Sequence, residues 1–346
     1  MNEQQRILSG FVGVIDSTLR EGFQFSRADF SPAEQIEIFG HLEAIGVDYV
    51  EVANPAKAEI RAMVAALVAA RGRGRSRILA HIRNHEGDVR AAAESGVDGV
   101  NILCTVDAER IKAMGKTVGD YRDALRRNVA LAKDHRLQVR VGVEDFFRQP
   151  RAESLEIYRI AVASGADRIA LADTLGRAMS WEVGRRIRRL RRSVRLPLEV
   201  HFHNDLGHAV SNAFAALEAG ANYVSTSLLG LGERTGITPT SSLLVNLYVL
   251  DPGIARRYDL GRLTAAESYV ARACGIEMPP NLMTNTANGF AHKAGIHLDA
   301  LMKFGPRKYE LLPPSLIGNR RSLVIDTLLS GKTRLIDVEK FQEKYG

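Results

Sequence analysis

The chain has 346 residues, of which 45% are hydrophobic and 25% are charged, the ordinary composition of a soluble globular protein. This length can bury a large core, arranged either as two average domains or as one α/β barrel with an extension. The net charge of +7 suggests nucleic-acid binding, but no aromatic residues accompany the basic runs, so we expect no nucleic-acid partner. Anionic small-molecule substrates explain a mild positive charge equally well.

Membrane and secreted proteins are also disfavoured by the sequence. No run of about 18 apolar residues occurs, so we predict no membrane span and no membrane partner. Residues 1–6 lack the basic start and apolar core of a signal peptide, which favours a cytoplasmic protein. With only Cys104 and Cys274, neither a disulfide framework nor a cysteine-rich zinc site is expected, and both residues are predicted to be buried.

Short apolar, β-branched runs recur along the first two thirds of the chain and alternate with segments of helical periodicity. Eight runs are predicted as strands: 12–15, 49–52, 78–82, 99–103, 139–143, 168–171, 198–202 and 223–226. The clearest intervening helices are predicted at 32–45, 59–71, 121–132, 152–164 and 209–219. Eight strand–helix units indicate an α/β fold of the (β/α)₈ TIM-barrel type over residues 1–270. An open doubly wound sheet is the alternative, but no glycine-rich dinucleotide loop follows the first strand.

The chain changes character after the eighth strand. Proline-containing breaks at 251–253 and 278–281 precede a tail with little regular apolar pattern. We therefore predict that residues 271–346 form a C-terminal helical extension, a lid and dimerisation segment that packs on a barrel, either its own or a partner's.

Polar residues collect where the predicted strands end. In a parallel barrel the carboxyl ends of the strands form one face, which carries the catalytic residues. His201 and His203 lie at i and i+2 after a strand, so both imidazoles point the same way and, with Glu21, indicate a metal site. Simpler interpretations stay open for two other polar residues: that Asp16 caps a helix, and that Glu51 neutralises an arginine inside the barrel.

Four motifs carry a resemblance to a known family. They are DSTLREG at 16–22, HFHNDLG at 201–207, GLGERTGITP at 230–239 and HKAGIH at 292–297. In this order they resemble the metal-dependent barrel family of homocitrate, isopropylmalate and citramalate synthases and the related acyl-CoA lyases, over residues 10–335. The Ile-Thr-Pro of 237–239 is most similar to homocitrate synthase.

The resemblance implies a Claisen condensation of acetyl-CoA with a 2-oxo acid, assisted by Mg²⁺, Mn²⁺ or Zn²⁺ and followed by thioester hydrolysis. It assigns His297 as the base, supplied by the other subunit of a domain-swapped homodimer. The implied metal ligands are Glu21, His201 and His203, and the implied catalytic residues are Arg20, Glu144, His297 and Tyr309. The implied substrate-binding residues are Gln24, His81, Asn101, Arg140, Gly142 and Thr174.

Three positions depart from the homocitrate synthase pattern. Phe23, Asn101 and Gly142 stand where Glu, Asp and Ser are expected. We therefore expect the substrate to be a 2-oxo acid with a distal anionic group. 2-Oxoglutarate is the favoured substrate, and the alternatives are oxaloacetate and phosphonopyruvate, which would give 2-phosphonomethylmalate. An acyl-CoA lyase is less favoured, because such enzymes usually carry a cysteine in the loop that corresponds to 230–239. A non-enzymatic scaffold is disfavoured by the intact metal and base motifs.

Overall fold

The computed structural model describes residues 3–72 and 74–324, and within them eight parallel strands close into a barrel in sequential order. The strands are β1 Gly13–Asp16, β2 Tyr49–Val52, β3 Arg77–Arg83, β4 Gly99–Cys104, β5 Gln138–Val143, β6 Arg168–Asp173, β7 Leu198–Phe202 and β8 Tyr223–Thr226. The predicted barrel is confirmed. Several strands extend one or two residues beyond the apolar runs, because backbone pairing continues into the polar residues, as at Asp173 opposite Phe202.

Helices separate successive strands and surround the barrel. They are α1 Glu3–Gly10, α2 Pro32–Ile45, α3 Ala58–Ala70, α4 Glu86–Glu94, α5 Ala108–Ala113, α6 Val118–Asp134, α7 Arg151–Ala163, α8 Ser180–Arg191, α9 Ala209–Glu218, α10 Thr240–Leu250, α11 Leu263–Ala273 and α12 Gly295–Phe304. The five helices predicted by periodicity are all present. Helix α1, which packs against α9, is not among the helices predicted from the sequence. None of these helices, over the ranges described, is long and apolar enough to cross a membrane.

Local signals explain how the chain turns from helix to strand. Ser31 and Glu34 form a capping box at the start of α2, with Pro32 in its first turn. Gly46 ends the same helix at φ +83°, a left-handed conformation that glycine adopts without steric cost. The chain then enters β2, which places Glu51 inside the barrel.

The barrel interior changes from apolar to charged along its axis. Ile15, Tyr49 and Leu79 fill the amino-terminal end. The guanidinium of Arg168 covers this layer, with its carbon 4.4 Å from the Tyr49 ring centroid and 4.1 Å from the Tyr223 centroid. Polar side chains lie on the carboxyl-end side of Arg168, so packed side chains close the barrel beneath the charged site.

Residues after the barrel form a mixed helical segment. The buried carboxylate of Glu267 in α11 accepts hydrogen bonds from the Leu229 amide at 3.2 Å and from the Thr284 hydroxyl. Two short parallel strands, β9 Ala291–His292 and β10 Ser322–Leu323, pair farther along. Of the extension predicted at 271–346, residues 325–346 lie outside the described part of the chain. Both cysteines are buried, as predicted.

Candidate active site

Glu21, His201 and His203 bring three metal-ligating groups together at the carboxyl end of the barrel. The two Nε2 atoms lie 3.4 Å apart, and the Glu21 oxygens lie 3.9 Å from His201 Nε2 and 3.8 Å from His203 Nε2. Ligands held about 2.1 Å from one ion are separated by about 3–3.5 Å. The two imidazole nitrogens match this separation and the Glu21 oxygens lie slightly beyond it, so a small movement of Glu21 would let the N₂O donor set hold a divalent cation.

The charge states of these groups also suit a cation. Burial, together with His203, lowers the pKa of His201 to about 3, and burial lowers the pKa of His203 as well. Burial opposes ionisation of Glu21, but the guanidinium of Arg20 beside it outweighs burial and lowers the pKa of that carboxyl. Two neutral imidazoles and one carboxylate are the protonation states that metal binding requires.

The loop after β8 supports Glu21. The Glu233 amide donates to Glu21 Oε1 at 3.2 Å, and a Cβ at Gly232 would stand 3.0 Å from Glu21 Cγ. At Gly236, where φ is +78°, a Cβ would lie 1.8 Å from the Gly230 carbonyl oxygen. These close approaches explain the glycines of the 230–236 motif.

Glu51, fully buried, is the centre of a charge cluster beside the metal group. Its carboxylate accepts from Arg20 Nε at 2.7 Å and also pairs with Arg140. Arg140 makes a second ion pair with buried Glu199, which also lies 3.5 Å from Arg168. The interpretation that Glu51 neutralises an arginine inside the barrel therefore holds, and Arg140 reaches the cavity with both terminal nitrogens already paired.

One wall of the cavity is built by paired positions on three neighbouring strands. His81 in β3, Asn101 in β4 and Arg140 in β5 stand directly opposite one another. The Asn101 amide nitrogen lies 2.8 Å from His81 Nδ1 and 3.3 Å from Glu51 Oε1, while Asn101 Oδ1 is buried without a partner among the described residues. A Cβ at Gly142 would lie 3.3 Å from that oxygen. Gly142 and Asn101 thus form one continuous surface.

Eleven of the thirteen predicted site residues line a single cavity of about 210 Å³. They are Arg20, Glu21, Gln24, His81, Asn101, Arg140, Gly142, Glu144, Thr174, His201 and His203. The carboxylate of Glu144 pairs with Arg110 of α5, and the Thr174 hydroxyl accepts from the Asp145 amide at 2.9 Å. Phe23, unlike the other two departures from the family pattern, does not line the cavity and packs edge-on against Phe30.

His297 and Tyr309 are not among the residues that line this cavity. Both lie in the segment after the barrel, beside each other. Eleven of the predicted site residues therefore line the cavity of their own barrel, and the other two lie outside that cavity.

The fold brings to the site several residues that were not among the predicted site residues. Glu199, Leu103 and Glu233 line the cavity, and Ser17 and Ser225 lie behind it. Glu199 had a usable signal, because it precedes His201 by two residues on β7 and so points to the same face. Ser225 had none, because an isolated serine in a strand carries no pattern.

Comparisons with known proteins identify relatives over most of the chain. The family model described as HMGL-like matches residues 12–270, and the one described as homocitrate synthase post-HMGL domain-like matches residues 285–340. The mitochondrial homocitrate synthase of Schizosaccharomyces pombe is 38% identical over 320 residues, covering 92% of this chain and 76% of that protein. The homocitrate synthase of Pyrococcus abyssi is 35% identical over 329 residues, covering 95% and 90%.

Solved structures share the fold at lower identity. The HMG-CoA lyase of Bacillus subtilis matches with a TM-score of 0.70 at 20% identity, covering 78% of this chain and 96% of that one. The HMG-CoA lyase from Pseudomonas aeruginosa gives 0.67 at 23% identity, covering 78% and 95%. The resemblance inferred from the four motifs is confirmed, and the chain belongs to the HMGL-like family, on its homocitrate synthase side.

Proposed function

We propose that this protein is an acyltransferase that condenses acetyl-CoA with 2-oxoglutarate to give homocitrate and free CoA. One observation carries the proposal: the Glu21, His201 and His203 group opens into the same cavity as Arg20, Arg140 and Thr174. The relatives described above are named homocitrate synthases, which favours 2-oxoglutarate over phosphonopyruvate and oxaloacetate and favours synthesis over acyl-CoA cleavage.

Glu21, His201 and His203 would hold the divalent cation, Mg²⁺, Mn²⁺ or Zn²⁺. When bound, the cation supplies Lewis acidity toward the carbonyl of the oxo acid. Arg20 lies beside Glu21 and Glu51, where its positive charge favours negative charge that develops on the carbonyl oxygen. Thr174, Gln24 and His81 would orient the oxo acid from the cavity wall.

Proton removal from the acetyl methyl group needs a positioned base, because thioester α-protons are too weakly acidic for solvent alone. We assign this proton to a ring nitrogen of His297, with Glu144 orienting the imidazole and Tyr309 as a hydrogen-bonding acid. Since His297 and Tyr309 do not line the cavity of their own barrel, we propose that a partner subunit supplies them.

The surface of the tail supports this assembly. The apolar side chains of Ile296, Phe304 and Leu311 are 73%, 67% and 69% exposed. Burial against a second subunit would remove their unfavourable contact with water. A second exposed apolar group lies on the segments that follow β6 and β7: Leu175, Met179, Trp181 and Leu206. We therefore propose a domain-swapped homodimer, with a catalytic barrel over 1–270 and a lid and dimerisation extension over 271–346. A cytoplasmic location stays a prediction.

A direct assay tests the activity. Purified protein is incubated with acetyl-CoA and one 2-oxo acid at a time, while a thiol reagent reports free CoA and mass spectrometry identifies the product. We expect fastest release with 2-oxoglutarate, slower release with oxaloacetate or phosphonopyruvate, and none after chelation of divalent cations. Faster turnover of another oxo acid would reassign the substrate, and no CoA release with any oxo acid would contradict the proposed activity.

A further inference from the structure

A chain of side-chain hydrogen bonds leads from the metal group to Glu51. His201 Nδ1 lies 3.0 Å from the Ser225 hydroxyl, which lies 3.2 Å from the Ser17 hydroxyl. The Ser17 hydroxyl in turn donates to Glu51 Oε2 at 3.0 Å. Ser17, Ser225 and Glu51 are all buried, so solvent does not compete for these contacts.

The hydrogen bonds of this chain can be donated in only one direction, toward Glu51. Burial opposes ionisation of Glu51, but Arg20 and Arg140 outweigh it and hold the pKa of the carboxyl well below its usual range. An ionised carboxylate only accepts hydrogen bonds, so the single hydroxyl proton of Ser17 is committed to Glu51.

The same constraint determines which nitrogen of His201 carries the proton. Ser17 can meet Ser225 only as an acceptor, so the single hydroxyl proton of Ser225 is committed to Ser17. Ser225 can then meet His201 only as an acceptor. The proton of the neutral imidazole must therefore reside on Nδ1, which leaves the Nε2 lone pair facing Glu21 and His203.

We propose that Ser17 and Ser225 are positioning residues that transmit the charge of Glu51 to His201, fixing the tautomer in which Nε2 can bind a cation. The proposal rests on the metal site of the proposed function. Metal-binding histidines usually donate their second N–H directly to a carboxylate or carbonyl group, which orients the ring and raises its basicity. Here two buried hydroxyls span the gap between imidazole and carboxylate.

The surroundings of His203, the second histidine of the pair, differ from those of His201. His203 Nδ1 is buried and, within the part of the chain that the structure describes, has no hydrogen-bond partner. Glu51 also contacts Arg20, His81 and Arg140 on the cavity wall. The hydroxyl chain therefore ties His201, rather than His203, to the wall assigned to the oxo acid.

Nitrogen NMR of the metal-free protein tests the tautomer directly. With ¹⁵N-labelled histidine, and with the signals assigned by their loss in His201→Gln, wild-type His201 should carry its proton on Nδ1 at neutral pH. Ser225→Ala should move this proton to Nε2, and Ser225→Thr, which keeps a hydroxyl, should return it to Nδ1. Wild-type His201 protonated on Nε2 would overturn the proposal, and this outcome does not depend on how any serine variant folds.

Cobalt(II) titration, followed by its visible absorption, tests the effect on the cation. We expect Ser17→Ala and Ser225→Ala each to weaken binding by about 10-fold, and the double variant to bind no more weakly than either single one, because both break the same chain. Ser76→Ala is the control, since its buried hydroxyl donates to the Val47 carbonyl at 2.6 Å, far from the site. Serine variants that bind Co²⁺ as tightly as wild type would overturn the inference, whereas a wild type that binds no Co²⁺ would overturn the proposed metal site itself.

Discussion

The side chains of His297 and Tyr309 stack on each other, with ring centroids 4.0 Å apart and ring planes inclined by 27°. Both belong to the segment that follows the barrel, and Tyr309 is 42% exposed. The residues proposed as base and hydrogen-bonding acid are thus already in contact within one chain. Such a pair can serve a neighbouring barrel without rearranging its own contact.

Mixing two inactive variants tests whether the site is shared between subunits. Glu21→Ala removes a proposed metal ligand from one barrel, and His297→Ala removes the proposed base from one tail. A heterodimer of the two retains one complete site, so random exchange should restore roughly a quarter of wild-type activity. The measurement is CoA release after exchange, which native mass spectrometry verifies.

A matched mixture controls this experiment. Glu21→Ala and His201→Ala both disable the barrel's own metal group, so their heterodimer should stay inactive. Recovery in that control, or no recovery in the first mixture despite verified exchange, would contradict the assignment of His297 to the partner's site.

Removing one imidazole should release the cation. His201→Ala leaves Glu21 and His203 as the remaining ligands, and we expect loss of metal content by elemental analysis together with loss of turnover. His208→Ala is the control, because His208 lies at the N-terminus of α9 and its side chain makes no capping hydrogen bond. Unchanged metal content in His201→Ala would remove His201 from the ligand set.

Gly142 offers a test of the cavity wall. In Gly142→Ser the new hydroxyl would lie near Asn101 Oδ1, which is buried and unpaired among the described residues. The serine also restores the hydrogen-bond donor of the homocitrate synthase pattern, and one hydrogen bond gained by bound 2-oxoglutarate, worth about 1 kcal/mol, should lower its KM roughly 5-fold. Gly142→Ala brings the same Cβ without the hydroxyl and should raise KM. Equal KM values in the two variants would show that the hydroxyl plays no part.

Asp16 should make stability depend on pH. Burial raises the pKa of Asp16 from 3.8 to about 6, although Thr18 and Thr240 donate to its carboxylate. Between these values the folded protein keeps a proton that the unfolded chain has released, so the free energy of unfolding falls as pH rises from about 4 to about 6.

Asp16→Asn removes this titration. Relative to the variant, wild type should lose on the order of 3 kcal/mol of unfolding free energy between pH 4 and pH 7. Urea unfolding at four pH values measures the difference. Asp123→Asn, at an exposed aspartate of α6, controls for the loss of an acidic residue. A constant difference between wild type and Asp16→Asn across the range would contradict the prediction.

Local pattern was enough to predict the barrel and its metal-binding group, and the four motifs supplied the rest of the predicted site. Strand-length apolar runs alternate with helical periodicity, and the polar residues that follow such runs must share one face of a parallel barrel. For that reason the sequence alone brought Glu21, His201 and His203 together, although about 180 residues separate the first from the others. The family resemblance added Asn101, Arg140 and Thr174, which line the same cavity.

The pairing of charges required the closed barrel. Which arginine faces Glu51, and which hydroxyl reaches His201, depends on the register of strands that are distant in the sequence, such as β1 beside β8. Ser17 and Ser225 meet only because that pairing closes the barrel, at a separation of 208 residues. Ser225 carries no local signal, and the 16–22 motif that contains Ser17 assigns that serine no role. The sequence therefore determined the fold and the ligand types, and tertiary packing decided the hydrogen bonds that orient the ligands.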